Sequence, residues 1–284
     1  MLGIPFRYFL KHPITTASQI AADPRQMWLT VQDYYVSERE RSRPPCSYVS
    51  DDAWEQHLHQ SLGLPWPCEA AAEFWALWPQ VIDELKAKGI RPGPEGFQWW
   101  NDGDAAFVRA VYCTTRHLKP KKVVETGVAH GLTSRFILEA LARNGDGHLW
   151  SIDLPPVEQE WRAQVGAAVG DAHADRWTYI AGSSRRRLPT LLASLGQIDL
   201  FIHDSLHSER NVRFELDRAW AAMGPSGGFV VDDVDANWGF HSFTQAFPGQ
   251  QSMIGESEPL HPDRRRFNDK GLFGIILKQP PAQL

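Results

Sequence analysis

The sequence predicts an α/β fold, a mostly parallel sheet with helices on both faces, preceded by a mostly helical extension. Three observations predict it. From about residue 97 onward, short apolar runs alternate with segments at helical spacing, the pattern of parallel βαβ units. The first of these runs ends in a glycine-bearing turn that leads into a helix. Before residue 97 the text is irregular, with proline-rich breaks at RSRPPCS, GLPWPCE and IRPGPEG.

In chain order, residues 1–96 read as an accessory region, in which AAEFWALWPQVIDEL has apolar residues at helical spacing and suits packing on a neighbouring domain or subunit. Residues 97–284 read as the second domain. A helix from Asp104 to His117 leads to the strand KVVETG, a helix from Thr133 to Arg143 stopped by Asn144 and Gly145, and the strand HLWSID. Strands follow at WTYIAG, DLFIHD and GFVVDD. Between the last two, Val212, Leu216, Ala219, Trp220 and Met223 share a helical face, and GPSGG is expected to end that helix in a glycine-rich turn. GLFGIILK is a final apolar strand, expected to pair near QSMIGES. In such a sheet the ligand site lies at the carboxyl ends of the strands.

Composition narrows the function. A chain of 284 residues can bury a large core, and its formal charge of −5 provides no basic field for nucleic acid or an anionic membrane surface. The partners expected are small molecules or other proteins. Cys46, Cys68 and Cys113 are odd in number and widely spaced, so neither a disulfide framework nor a zinc site is expected. Pro5, Arg7, Lys11 and Pro13 interrupt the apolar N-terminus, and a cytoplasmic protein is the default expectation. Seven of the twelve tryptophans precede residue 101; rings of this kind fill a core or stack on a sugar or aromatic substrate.

VVETGVAHGLTS, Val123 to Ser134, ends a strand in an acid, turns through Gly127 and Gly131 and enters a helix, presenting backbone N–H groups to a ligand. A dinucleotide fingerprint would have a glycine where Ala129 stands. Asp153, at the end of the next strand, stands where an acid accepts two ribose hydroxyls, a feature common to NAD and S-adenosylmethionine.

From about Asn101 to Asp235 the sequence resembles the class I S-adenosylmethionine-dependent methyltransferases, specifically the metal-dependent O-methyltransferases that include catechol O-methyltransferase and the macrocin and mycinamicin sugar enzymes. The resemblance is carried by NDGD at Asn101, ETGVAHGLTS at Glu125, Asp153, and AGSS at Ala181 to Ser184. It implies a Rossmann-like sheet of seven mostly parallel strands with the last antiparallel. It also implies that Asn101 lies in a cofactor-covering segment, that Glu125 and Gly127 lie near the methionyl end of the cofactor, and that Thr133 or Ser134 meets its carboxylate. Asp153 falls at the ribose and Gly182, Ser183 and Ser184 at the adenine. The macrolide-sugar relatives imply a homo-oligomer. The N-terminal region and HPDRRRFND depart from catechol O-methyltransferase, so substrate identity does not carry over.

Asp204 closes the fourth strand, and Asp232 and Asp233 close the fifth. Neighbouring parallel strands lie about 5 Å apart, so these acids crowd one cleft and raise one another's pKa unless a cation joins them. Mg²⁺, a hard ion taking oxygen ligands, fits, and Mn²⁺ can replace it. The resemblance implies the same three ligands, with Asp204 also at the cofactor, and puts a general base at His207. The plainer alternative is that Asp204 or Ser205 caps the next helix while Asp232 and Asp233 form a turn. His203 is expected to be structural, because alternation turns it away from Asp204. Trp238, Phe240 and His241 are candidates for the substrate wall or for packing, and the triple arginines at 185–187 and 264–266 for substrate contacts or solvated faces.

The reaction expected is O-methylation of a small hydroxylated molecule, such as a sugar or glycosylated natural product. Two alternatives share the sheet: a catalytically silent S-adenosylmethionine-binding accessory protein, as among the cephalosporin-hydroxylase-like relatives, and an NAD-dependent oxidoreductase.

Overall fold

The structure is a computed structural model describing residues 23–40, 43–44, 46–90, 103–156, 159–258, 260 and 271–278. Its helices of eight or more residues are α1 (Pro24–Glu40), α2 (Trp54–Ser61), α3 (Glu69–Ala87), α4 (Ala105–Leu118), α5 (Leu132–Asn144), α6 (Ser184–Leu195), α7 (Glu209–Ala222) and α8 (Gly239–Ala246). The strands are β1 (Lys122–Thr126), β2 (His148–Asp153), β3 (Trp177–Ala181), β4 (Ile198–His203), β5 (Met223–Val231), β6 (Gln251–Glu256) and β7 (Leu272–Leu277). They form one seven-stranded sheet in the order β3-β2-β1-β4-β5-β7-β6. β1 to β5 pair in parallel, and β7 runs antiparallel to both β5 and β6. The predicted α/β sheet, including the pairing of GLFGIILK with QSMIGES, is therefore present.

Strand alternation divides the core into two layers. Val123, Leu200, Ile202, Val230 and Ile275 face one layer, packed by α3, α4 and α5. Val124, Phe201, Phe229, Val231 and Ile276 face the other, packed by α6, α7 and α8. A strand with both faces covered must be apolar throughout, which is why these runs are continuous.

The accessory region is not a separate body. Trp54 and Leu58 of α2 and Phe74 and Trp78 of α3 belong to the same buried cluster as α4 and α5, and the Trp54 ring meets Phe273 of β7 edge-on at 5.2 Å. The expected boundary at residue 96 falls outside the described residues. α1 lies against the opposite layer: Arg185 pairs with Asp33 at 3.3 Å, Arg186 with Asp23, and Ser183 donates to Gln26 Oε1 at 2.7 Å. The arginines at 185–187 thus tie α1 to the sheet domain, with Arg187 Nε donating to the Ala181 carbonyl at 3.0 Å. Those at 264–266 lie outside the described residues.

One turn differs from expectation. The helix ends at Ala222, but β5 begins at once at Met223; its pairing with β4 then jumps from Met223 opposite Ile198 to Gly228 opposite Leu200. The residues between form an irregularity within the strand, where Gly227 comes so close to Met223 and the Asp199 carbonyl that a Cβ would sit 2.2 Å and 2.8 Å from them.

An ion cluster braces α5. Glu139 accepts from Arg135 at 3.0 Å, Arg143 at 2.8 Å and His173 at 3.1 Å. The His173 hydrogen bond, opposed by burial and reinforced by Arg135 and Arg143, holds the Glu139 carboxyl down at about 2. Because the folded value lies below the unfolded one, this contribution is complete above the unfolded pKa of about 4.3 and is lost as the pH falls toward the folded value. Glu139→Gln is expected to lower stability at pH 7, with the gap to wild type closing between about pH 4.5 and pH 2. Denaturant midpoints across that range test it; a gap as wide at pH 3 as at pH 7 would refute the assignment.

Candidate active site

The site is built at the carboxyl ends of β1, β2, β4 and β5. Ladder hydrogen bonding continues past the last strand residues: Asp204 N–H donates to the Thr126 carbonyl at 2.8 Å, and Asp232 N–H to the His203 carbonyl at 2.9 Å. The backbones of Thr126, Asp204 and Asp232 are therefore held side by side. Carboxylate oxygens of Asp204 and Asp232 and a ring nitrogen of His207 lie within 4.8 Å of one another. His207 Nε2 is 3.8 Å from Asp204 Oδ1.

Electrostatic crowding is strong. Burial, reinforced by the charges of Asp233 and Glu125 and opposed by a hydrogen bond with Asp232, pushes Asp204 well above the usual carboxylate range. Burial holds His207 below the ordinary imidazole value, although the Asp233 charge acts against it. Asp233 itself sits at φ 48°, a left-handed conformation that aspartate tolerates, so the chain turns off the strand there. A helix cap does not account for these acids: the N-cap of α7 is Ser208, whose hydroxyl accepts from Asn211 N–H at 3.2 Å.

His203 is fully buried, its Nδ1 lying 2.6 Å from Glu215 Oε2 and its ring edge-on to that of His207 at 5.5 Å. Ser205 and Asn211 also donate to Glu215, at 2.8 Å and 2.9 Å. Nothing in the sequence pattern marked Glu215 as the anchor beneath the acidic strand end. A charged residue at a position facing the core, seven before the helix's last residue, was the available signal.

The glycine loop follows β1. Glu125 is fully buried and accepts from Ser134 and Ser151, each at 2.6 Å through Oε2, while Oε1 has no hydrogen-bond partner among the described residues. Burial raises its carboxyl to about 7, with the two serines acting in the opposite direction. The Ser134 hydroxyl is thus committed to Glu125, leaving Thr133 beside it at the start of α5. Gly127 (φ 90°) donates to the Ile152 carbonyl at 2.9 Å and passes so close to Asp204 that a Cβ would stand 1.8 Å from its carbonyl oxygen. Only glycine fits there. Gly127→Ala is expected to destabilise the fold by more than about 3 kcal/mol, the upper end of ordinary substitutions, because it forces β1 and β4 apart. Urea titration measures it, and a loss below about 1 kcal/mol would show that the loop simply moves.

Asp153, closing β2, accepts from Ala129 N–H at 3.2 Å. Burial raises its carboxyl to about 6 against the pull of backbone N–H groups from Ala129, Val128 and Leu154. Gly182, after β3, donates to the Asp153 carbonyl at 2.8 Å, which sets the Gly182 to Ser184 turn beside the β2 end. Ser183 is occupied by Gln26 of α1, and Ser184 lies 3.5 Å from Asn211. Asn101 lies outside the described residues. Phe240 is core, whereas Trp238 donates to the Pro44 carbonyl at 3.0 Å and meets His241 edge-on.

Residues 124–234, from the middle of β1 to just beyond β5, match the family model described as a methyltransferase domain. Over that stretch the chain is similar to a methyltransferase domain. The match takes in Glu125, Asp153, Asp204, His207 and Asp232. Similar folds occur in the O-methyltransferase TomG from Streptomyces achromogenes, involved in tomaymycin synthesis and solved with S-adenosylmethionine, at 15% identity and TM-score 0.54, covering 82% of this chain and 100% of that one. The O-methyltransferase from Bacillus cereus, solved with S-adenosylhomocysteine, is similar at 12% identity and TM-score 0.50, covering 80% and 97%. No curated protein matches the sequence significantly. Among the described residues, no helix is long and apolar enough to cross a membrane.

Proposed function

We propose that this methyltransferase is an S-adenosylmethionine-dependent O-methyltransferase acting on a hydroxyl of a small molecule, a sugar or glycosylated natural product being the class favoured. The reading adds a divalent cation, Mg²⁺ or Mn²⁺, held by Asp204 and Asp232 with the Asp233 charge beside them, and His207 as general base. The observation that carries it is the side-by-side seating of Asp204, Asp232 and His207 at the ends of β4 and β5 within a methyltransferase domain. Two half-buried carboxylates so close, with a third acid next in the chain, favour a hard cation bound through oxygen.

The residues suit both absent groups. The unpartnered Oε1 of buried Glu125 would be costly without a donor, and a cofactor ammonium supplies one. Asp153 stands at the next strand end as acceptor for ribose hydroxyls, and Gly182 to Ser184 form the turn beside it. A bound cation would acidify a substrate hydroxyl and hold two neighbouring substrate oxygens. His207, kept neutral by burial, would accept the hydroxyl proton at Nε2. The remaining contribution of the protein is alignment of the two reactants. The resemblance to the macrolide-sugar enzymes favours a homo-oligomer, and light scattering on the eluting protein tests it.

The deciding experiment offers labelled S-adenosylmethionine and a panel of vicinal diols, sugars and catechols, with products read by mass spectrometry. Chelator treatment is expected to abolish turnover, and Mg²⁺ or Mn²⁺ to restore it. Turnover indifferent to chelator and metal would sink the cation. Cofactor binding without transfer to any acceptor would favour a silent accessory protein instead.

A further inference from the structure

A second cluster of metal-ligating side chains lies away from the strand ends, where α2, the start of α3 and the last turns of α4 meet. Cys113 and His117 stand one turn apart on α4, on the same face. Cys68 caps α3, its Sγ accepting from Ala71 N–H at 3.3 Å, and lies 3.7 Å from Cys113 Sγ and 3.3 Å from His117 Nε2. His59, on α2, packs edge-on against the His117 ring at 4.5 Å. Ligand atoms of His59, Cys68 and His117 lie within 4.8 Å of one another. His59, Cys68 and Cys113 are buried, at 2%, 6% and 0% exposure.

The His59 ring is oriented as a metal ligand would be. Its Nδ1 lies 2.6 Å from the Pro65 carbonyl oxygen, which can only accept, so Nδ1 carries the proton. In the neutral ring Nε2 is then a bare lone pair, and it is buried with no hydrogen-bond partner among the described residues. A backbone carbonyl fixing one nitrogen while the other faces a cluster of ligands is the usual support for a metal-bound histidine.

We infer that His59, Cys68, Cys113 and His117 form a structural zinc site. Zinc bound tetrahedrally at about 2.3 Å from sulfur and 2.0 Å from nitrogen spaces two sulfurs by about 3.8 Å and sulfur from nitrogen by about 3.5 Å. The distances of 3.7 Å and 3.3 Å match that tetrahedron. Two thiolates and two imidazoles suit zinc rather than a hard ion. Glu55 also comes within 4.8 Å of both cysteines, 3.9 Å from Cys113 Sγ, but it is paired with Arg109 at 3.6 Å. Four protein ligands leave no open position, so the ion is structural: it would clamp α2 and α3 to α4, the helix that enters β1.

The test uses the full chain expressed with added zinc and purified anaerobically without chelator. Elemental analysis is expected to find about one zinc per chain, released when the thiols are blocked by a mercurial. Cys68→Ser and His59→Gln should each reduce retained zinc by more than about tenfold, the loss that even supporting residues produce. Metal-free protein given Co²⁺ should develop a thiolate-to-cobalt charge-transfer band, and His117→Cys, which exchanges a nitrogen for a third thiolate, should keep metal and intensify that band even if the serine variant misfolds. Folded wild type with neither zinc nor the cobalt band overturns the site. So does zinc retained equally by Cys68→Ser, which would mark adventitious surface binding, or a Cys68–Cys113 disulfide in the anaerobic protein. These readouts do not involve methyl transfer.

Discussion

Replacing His207 with alanine is expected to lower methyl-transfer turnover by about two to four orders of magnitude, the usual scale for losing a general base, while cofactor affinity stays unchanged. The expectation rests on geometry: Nε2 lies 3.8 Å from Asp204 Oδ1, beside that carboxylate but too far for a hydrogen bond to it. Because a His207 nitrogen also falls within ligand range of Asp204 and Asp232, the metal requirement must be measured alongside. If His207 acts as base, the concentration of Mg²⁺ giving half-maximal rate is the same in wild type and variant. If it is instead a ligand, that concentration rises in His207→Ala. Turnover equal to wild type would remove His207 from the chemistry altogether.

Glu215→Ala is expected to destabilise the protein by about 3–5 kcal/mol, the range for breaking a buried ion pair from one side. Glu215 is fully buried and takes hydrogen bonds from Thr126 at 2.5 Å, His203 at 2.6 Å, Ser205 at 2.8 Å and Asn211 at 2.9 Å. Burial alone would raise its carboxyl, but His203 and hydrogen bonds with Ser184 and Thr126 more than offset it and hold it at about 2. Alanine would strand four donors, one of them on an imidazole flanking Asp204. The double variant His203→Ala, Glu215→Ala should be less destabilised than the sum of the two single ones, because removing both partners avoids the uncompensated charge. Guanidinium titrations of the four proteins test this. A single-variant loss below about 1 kcal/mol, or strict additivity, would refute the pair.

The sheet was legible because its signals are local. DLFIHD and GFVVDD carry their own apolar periodicity, and GLFGIILK needs no partner to be recognised as a strand. The acidic strand ends were legible for the same reason: one residue of register fixes which side chain stands at a carboxyl end. The glycine turn after Glu125 could be read, but not that Ser134 would turn onto Glu125, because that hydrogen bond joins the start of a helix to the strand before it. The arginines at 185–187 showed only charge, and their partners Asp23 and Asp33 stand about 150 residues earlier. The boundary between accessory region and domain was drawn by composition, yet Trp54, Phe74 and Trp78 share one buried cluster with the sheet.

By itself, then, the sequence determined the α/β sheet and the acids at the ends of β4 and β5. These follow from periodicity and from residues one or two positions apart. Tertiary structure alone decided that Glu215 anchors His203, that Gly127 presses against Asp204, and that His59, Cys68, Cys113 and His117 converge although Cys68 and Cys113 are 45 residues apart. Contacts of that kind depend on how helices dock, and docking is set by the summed burial of many side chains rather than by any short motif.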